Sequence, residues 1–339
     1  MELCEKIGLK SCAMTEREDY LYCSDFQSNG LFRYNFKDRR IDVLGTFDTR
    51  FMWNSYWQAV FYGKEIWFIP FKQEERIAIY NIENNSIEYV ELPKSTRDCM
   101  YRPFNDCYLV GENLYITPMC YDCMLKIELS TRKVSRIDIG IKEYAGQNSG
   151  ILYGSCIDNG KIYLCPWSST KILCFDTHTD LVKTISADID VKMYAGIIIY
   201  NNSALLFPVK LERGILDVDI NTGERKVHNI SNIQDVKDIR YTALARIKGK
   251  IYLFPEEANN VVIVNIVDMS LDKLLKIEYN GEKNLGWFST RHTSYGEIVI
   301  PSDISTPMLL LNEEGIHQLS LRPEKDYFMK VLRSQMGLD

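Results

Sequence analysis

The chain has 339 residues, with 40 Lys+Arg against 46 Asp+Glu, a formal net charge of −6, 46% hydrophobic residues and 25% charged residues. This is ordinary globular composition, and an acidic balance without a long Lys/Arg block lacks the concentrated positive field that non-specific binding to nucleic acid or anionic membrane needs. No run approaches the ~18 uninterrupted apolar residues of a membrane span, and the early charges Glu2, Glu5, Lys6, Lys10, Glu16 and Arg17 leave no signal-peptide core. A cytoplasmic protein without nucleic-acid or membrane partners is expected, its cysteines reduced and acting as small buried hydrophobes.

One pattern recurs along the chain. Asp19-Tyr20-Leu21-Tyr22-Cys23 gives a first copy, with Ser24 at its end. A run closing in proline follows at Gly63 to Pro70, Gly111 to Pro118, Gly160 to Pro166, Leu205 to Pro208, Gly249 to Pro255 and Gly296 to Pro301. These prolines stand 48, 48, 42, 47 and 46 residues apart. Each copy offers four strand-sized runs rich in Ile, Val, Tyr and Phe, as in Tyr56 to Tyr62, Glu65 to Ile69, Arg76 to Ile82 and Ile87 to Leu92. Asn159-Gly160 and Lys248-Gly249 supply hairpin turns between first and second runs. Glu83-Asn84-Asn85-Ser86 and Asn221-Thr222-Gly223-Glu224 link third and fourth.

The middle runs are apolar on both faces, as in Ile77-Ala78-Ile79-Tyr80 and Ile251-Tyr252-Leu253-Phe254. A strand with one wet face alternates, whereas a sheet packed between two neighbouring sheets does not. The expectation is therefore an all-β, seven-bladed β-propeller of four-stranded antiparallel blades. The blades fall at about 5–47, 51–92, 100–139, 148–186, 192–230, 239–278 and 286–322, together domain 1–322, with the first and last blades complete and no strand exchanged between them. Residues 323–339 break the repeat. Pro323, Glu324 and Asp326 at the start, Phe328, Val331, Leu332 and Met336 on one face, and Gly337 as a stop predict a short C-terminal amphipathic helix.

The shape Gly-Lys-Ile-Tyr-Leu-Phe-Pro at Gly249, followed by Ile77-Ala78-Ile79-Tyr80-Asn81-Ile82 and Lys171-Ile172-Leu173-Cys174-Phe175-Asp176-Thr177 in other copies, resembles the blades of the kelch-like propeller superfamily. The double glycine of kelch repeats, Trp-Asp endings and sialidase Asp-boxes are missing, so the resemblance implies an architecture and no particular activity.

In a propeller the loops leading into the innermost strands and those joining second to third strands share one face of the central channel. Fourteen residues before each repeat end stand Lys10, Tyr56, Phe104, Leu152, Tyr194, Tyr241 and Trp287, flanked by Trp57, Tyr153 and Phe288. Trp53, Tyr101, Arg102, Arg240, Arg291 and His292 are placed beside them. Aromatic and Arg side chains dominate recognition hot spots, and aromatic faces also stack on sugars and cations. The same column could instead pack blade against blade. Small residues at Cys12, Ala59, Cys107, Gly154, Gly196 and Ala243 mark where inner strands crowd the axis.

Loop charges including Glu74, Glu256, Glu257 and Asp303 offer carboxylates for acid/base work without a pattern that joins them. Cys120-Tyr121-Asp122-Cys123 is a lone C-x-x-C without the second pair that structural zinc wants. His178, His228, His292 and His317 fall in different copies, and no phosphate or dinucleotide loop is present. No cofactor and no metal are expected. The reading is a non-catalytic binding module taking a protein segment or small ligand at the channel face. A lyase or hydrolase using His292, Arg291, Arg240 and Glu257, and a glycan-binding propeller using Gln58, Asn105 and Gln147, are the alternatives.

Overall fold

Turn chemistry fixes the repeating unit. In a computed structural model the described residues are 9, 11–26, 28–49, 55–72, 75–97, 102–141, 152–166, 171–186, 194–230, 239–256, 258–277, 287–301, 306–319 and 321. Asn159 and Gly160 turn with φ of 47° and 72°, Lys248 and Gly249 with 42° and 75°. Two left-handed residues in succession match the twist of the strands they join. At the end of the third strand an Asn or Asp side chain accepts from backbone N–H groups two or three residues on, and so shapes the turn to the fourth strand. Asn35, Asn81, Asp176, Asp219, Asn265 and Asn312 all do this.

The result is seven antiparallel sheets of four consecutive strands each, spanning 14–46, 56–90, 104–137, 152–186, 194–228, 241–276 and 287–319. They form a seven-bladed β-propeller. The second and third strands are buried on both sides, with Ile66, Trp67, Phe68 and Ile69 at 0% exposure. Among the described residues their apolar side chains fill seven clusters, six shared by two adjacent blades and one by the last, first and second. Among the described residues no helix is long and apolar enough to cross a membrane. The helix expected at 323–339 lies outside the described residues.

The first and last blades each hold four strands of their own. Their junction is closed by one backbone bond, Leu9 N–H to the Leu321 carbonyl at 2.7 Å, and by side chains. Tyr295 Oη donates to Asp19 at 2.6 Å, its ring stacks on Phe36 at 4.1 Å, and Ser294 donates through N and Oγ to Glu16. The first blade departs from the repeat: its inner strand, Met14–Arg17, has four residues where the other six have seven. Tyr20 pairs with Asn35 as Glu65 pairs with Asn81, so Asp25, not Ser24, occupies the place of the prolines.

In the other six blades the inner strand carries an extra residue just after its first, opposite the proline end of the second strand. Proline has no N–H for the ladder and is tolerated at such a bulge. The bulge resets which side chains face the channel, and that positions the site.

Candidate functional site: the central channel

Each inner strand runs from a near mouth, where the chain arrives, to a far mouth, where it turns into the second strand. At the near mouth Tyr56, Phe104, Tyr194, Tyr241 and Trp287 are the first inner-strand residues, each paired with its repeat proline just before the bulge. Their exposures are 2, 0, 3, 0 and 1%. Tyr56 packs on Phe47 at 4.6 Å, Phe104 on Tyr121 at 4.8 Å and Trp287 edge-on to Phe254 at 5.9 Å. The column thus lies between blades, because the residue before the bulge points into the blade junction. Burial pushes the Tyr56, Tyr194 and Tyr241 phenols up. Among the described residues Tyr56 Oη, Tyr241 Oη and Trp287 Nε1 have no hydrogen-bond partner. Trp53, Tyr101, Lys10, Glu74, Gln147, Glu257 and Asp303 lie outside the described residues. Arg240, just before its inner strand, pairs with Glu256 at 2.9 Å on the rim.

Trp57, at the bulge of the second blade, is 1% exposed and organises the near half of the channel. Its Nε1 donates to the Asn105 carbonyl at 2.7 Å. The guanidinium groups of Arg102 and Arg291 lie over its ring, 4.2 and 5.0 Å from the centroid. Arg102 reaches there from a left-handed backbone, φ 52°, held by its N–H to the Phe71 carbonyl at 2.7 Å. Arg291, on the last blade, donates from Nε to the Cys12 carbonyl of the first blade and from Nη2 to the Trp57 carbonyl of the second, both at 2.9 Å. Its Nη1 donates to Ser289 Oγ and the Thr290 carbonyl. Burial lowers the Arg291 pKa, while nearby Cys12 and Asp106 act the other way.

Asp106, beside them, collects three side-chain donors: Gln58 Nε2 at 3.0 Å, Asn105 Nδ2 at 3.0 Å and Ser155 Oγ at 2.8 Å. The amides of Gln58 and Asn105, expected to meet a sugar, are therefore engaged inside the wall.

A cavity of about 240 Å³ follows the channel from Arg102 and Asp106 to Arg246 and Glu297. Its lining is mainly polar, with Ser155, Thr242, Ser289 and Thr290 among the hydroxyl groups, and includes the small or aliphatic Gly196, Ala243 and Leu244. The glycines there are required by crowding. A Cβ on Gly196 would stand 2.3 Å from Leu244 Cδ1, and one on Gly154 would stand 3.0 Å from the Gly196 Cα.

His292 is the sixth residue of its inner strand, two before the hairpin, and so belongs to the far mouth, away from Arg240. Its imidazole is 80% exposed and bonds Glu297 at 2.7 Å, which raises its pKa. The same layer carries Glu16, Phe61, Leu109, Ile157, Ile199 and Arg246. The sequence reading missed Asp106, Ser155 and Arg246. Counting nine residues back from each repeat proline would have found the far layer, because that offset clears the bulge.

Cys120 is disulfide-bonded, an exception to the expected reduced state, and not to Cys123, which is a free buried thiol. The C-x-x-C is therefore not a pair. Asp122, between them, is pushed up by burial, but bonds from Thr96 N and Oγ1 and the Arg136 guanidinium hold it at about 2, a structural clamp. Among the described residues no group of three or more His, Cys, Asp or Glu could hold a metal.

No protein-family profile and no curated protein matches the chain in sequence. Solved structures match in fold. A streptogramin B lyase is 11% identical with a TM-score of 0.61, covering 89% of this chain and 92% of its own. BamB from Moraxella catarrhalis is 11% identical with a TM-score of 0.54, covering 86% and 80%. A chain of the mitotic checkpoint complex is 9% identical with a TM-score of 0.57, covering 92% and 91%. This likeness concerns the fold alone: the neighbours include a lyase and a chain of a complex on one architecture.

Proposed function

We propose that this chain is a non-catalytic binding module whose recognition site is the central channel, taking up a small ligand or a side chain inserted by a protein partner. The observation that carries this is the axial cavity of about 240 Å³, lined by charged and hydroxyl side chains together with small aliphatic ones. Well-placed polar groups beside apolar ones are how proteins orient small ligands, and here the polar groups predominate. The volume is below the roughly 300–1,000 Å³ of pockets for drug-sized molecules, so the occupant is a few atoms across. Of the residues offered for a lyase or hydrolase, the three described ones stand apart: Arg240 at the near mouth and His292 at the far one, while Arg291 is spent on carbonyls.

The test is native mass spectrometry of protein purified from its own cells, with and without Ile198→Trp, which places an indole in the cavity wall. A bound mass retained by wild type and lost from a folded Ile198→Trp supports the reading. Equal retention by both would refute it.

A further inference from the structure

Resting on the channel reading, we propose that the far mouth recognises an amphipathic monocarboxylate: an apolar chain or ring ending in one carboxylate, either a free acid or the C-terminal residue of a peptide. The charge argument begins with Arg246. Its guanidinium lines the cavity and is exposed; it is held over the Tyr200 ring at 5.6 Å, and among the described residues it has no ion pair or hydrogen bond. The other charges that flank it in this layer are engaged, while Glu112 and Asp158, in the hairpins of the third and fourth blades, have no cation partner among the described residues. His292 is bonded to Glu297, Glu16 accepts from Ser294, and Lys248 pairs with Glu313. Arg17 lies over Phe61 at 4.8 Å and pairs with Glu18 at 3.8 Å. One uncompensated guanidinium is matched by one carboxylate, which it can bind through two parallel hydrogen bonds. A phosphate dianion would want a second free cation.

The apolar argument comes from the other side of the same layer. Leu109 and Ile157, on adjacent blades, are 41% and 36% exposed, and Phe61 and Ile199 flank them half-buried. Inner strands of a propeller are its least exposed backbone, yet here two aliphatic side chains at equivalent strand positions face solvent at the far mouth. Water leaving these side chains supplies affinity, and Arg246 supplies orientation.

The experiment is titration calorimetry at neutral pH with octanoate, octylamine, and an acetylated Gly-Gly-Leu peptide bearing either a free or an amidated C terminus. The proteins are wild type, Arg246→Met, Arg246→Lys, Ile157→Asp and Ile198→Trp. Octanoate is expected to bind wild type and octylamine not to. Arg246→Met should weaken octanoate about tenfold or more, the worth of a charge-assisted hydrogen bond, with part of the loss restored in Arg246→Lys. Ile157→Asp should also weaken it, and these exposed substitutions should leave the melting temperature unchanged. Tighter binding of the free-acid peptide than of octanoate would identify a chain terminus as the natural source; the reverse order would identify a free acid. No binding of either acid, equal binding of octanoate and octylamine, or full affinity in Arg246→Met would overturn the proposal. A ligand that Ile198→Trp loses and Arg246→Met keeps would overturn it while leaving the channel reading in place.

Discussion

The two ends of the channel hold similar side chains and use them differently. At the near end Arg291 gives its hydrogen bonds to protein carbonyls and a serine, and Asp106 is met by three donors. At the far end Arg246, among the described residues, is held over an aromatic face without an ion pair or hydrogen bond, and Leu109 and Ile157 face water. An arginine is therefore not a recognition group by virtue of its type; what remains of its hydrogen-bonding capacity after folding decides. The near end is a clasp joining the last, first and second blades, and the far end is where capacity is left over.

The sharpest way to break this contrast is to remove the near-end packing. Trp287→Ala empties a fully buried indole site between the sixth and seventh blades. It should cost about 3–5 kcal/mol, read as a lower urea midpoint. A loss under about 1 kcal/mol would mean that the aromatic column is not packing and would return it to the surface site that the sequence suggested.

Next in size is the pair of arginines. Arg291→Met should cost about 3 kcal/mol, because the Cys12 and Trp57 carbonyls lose their donors inside the ring closure. Arg246→Met, made in parallel, should change stability by less than about 0.5 kcal/mol, as exposed substitutions do. Similar losses in both would erase the distinction between the two ends. Asp106→Ala follows, at about 1–2 kcal/mol, since Gln58, Asn105 and Ser155 would all lose an acceptor. Coupling between Asp106→Ala and Arg291→Met in a double-mutant cycle would measure how far the near-end charges act as one unit.

Why the fold could be read from the chain and the site only partly follows from the same residues. The prolines at 70, 118, 166, 208, 255 and 301 announce the repeat, and Asn81 or Asp176 announces the third strand's end, because both are local chemistry that each copy needs for itself. The direction of a side chain at the channel is not local. It depends on a bulge that inserts one residue after Tyr56 or Tyr241, and a one-residue insertion exchanges the two faces of a strand. Tyr241 therefore faces its neighbour blade, while Arg246, five residues on, reaches the cavity. The pairing of Arg291 with carbonyls of Cys12 and Trp57 spans 279 and 234 residues of sequence, beyond any periodic signal. The first blade's shift from Ser24 to Asp25 was hidden for a related reason: without a proline, spacing alone cannot register the copy.

The finest probe of the contrast is the titration of His292. Its hydrogen bond with Glu297 favours the imidazolium, and although burial works against that, the pKa lies above the usual 6.5. A raised folded-state pKa means that the pair stabilises the fold in full below the unfolded value of 6.5. That contribution is lost as pH rises through the higher folded-state value. With the imidazole 80% exposed the effect is small, below about 1 kcal/mol. Proton-detected titration of the His292 ring in wild type and Glu297→Gln measures it directly. The wild-type midpoint should lie above 6.5, and the variant's should fall toward it, with the slight excess stability at pH 5.5 over pH 8 vanishing alongside. Coincident midpoints would show the pair to be loose in solution. The far mouth would then present a free Glu297 carboxylate lining the cavity, an acceptor that competes for Arg246.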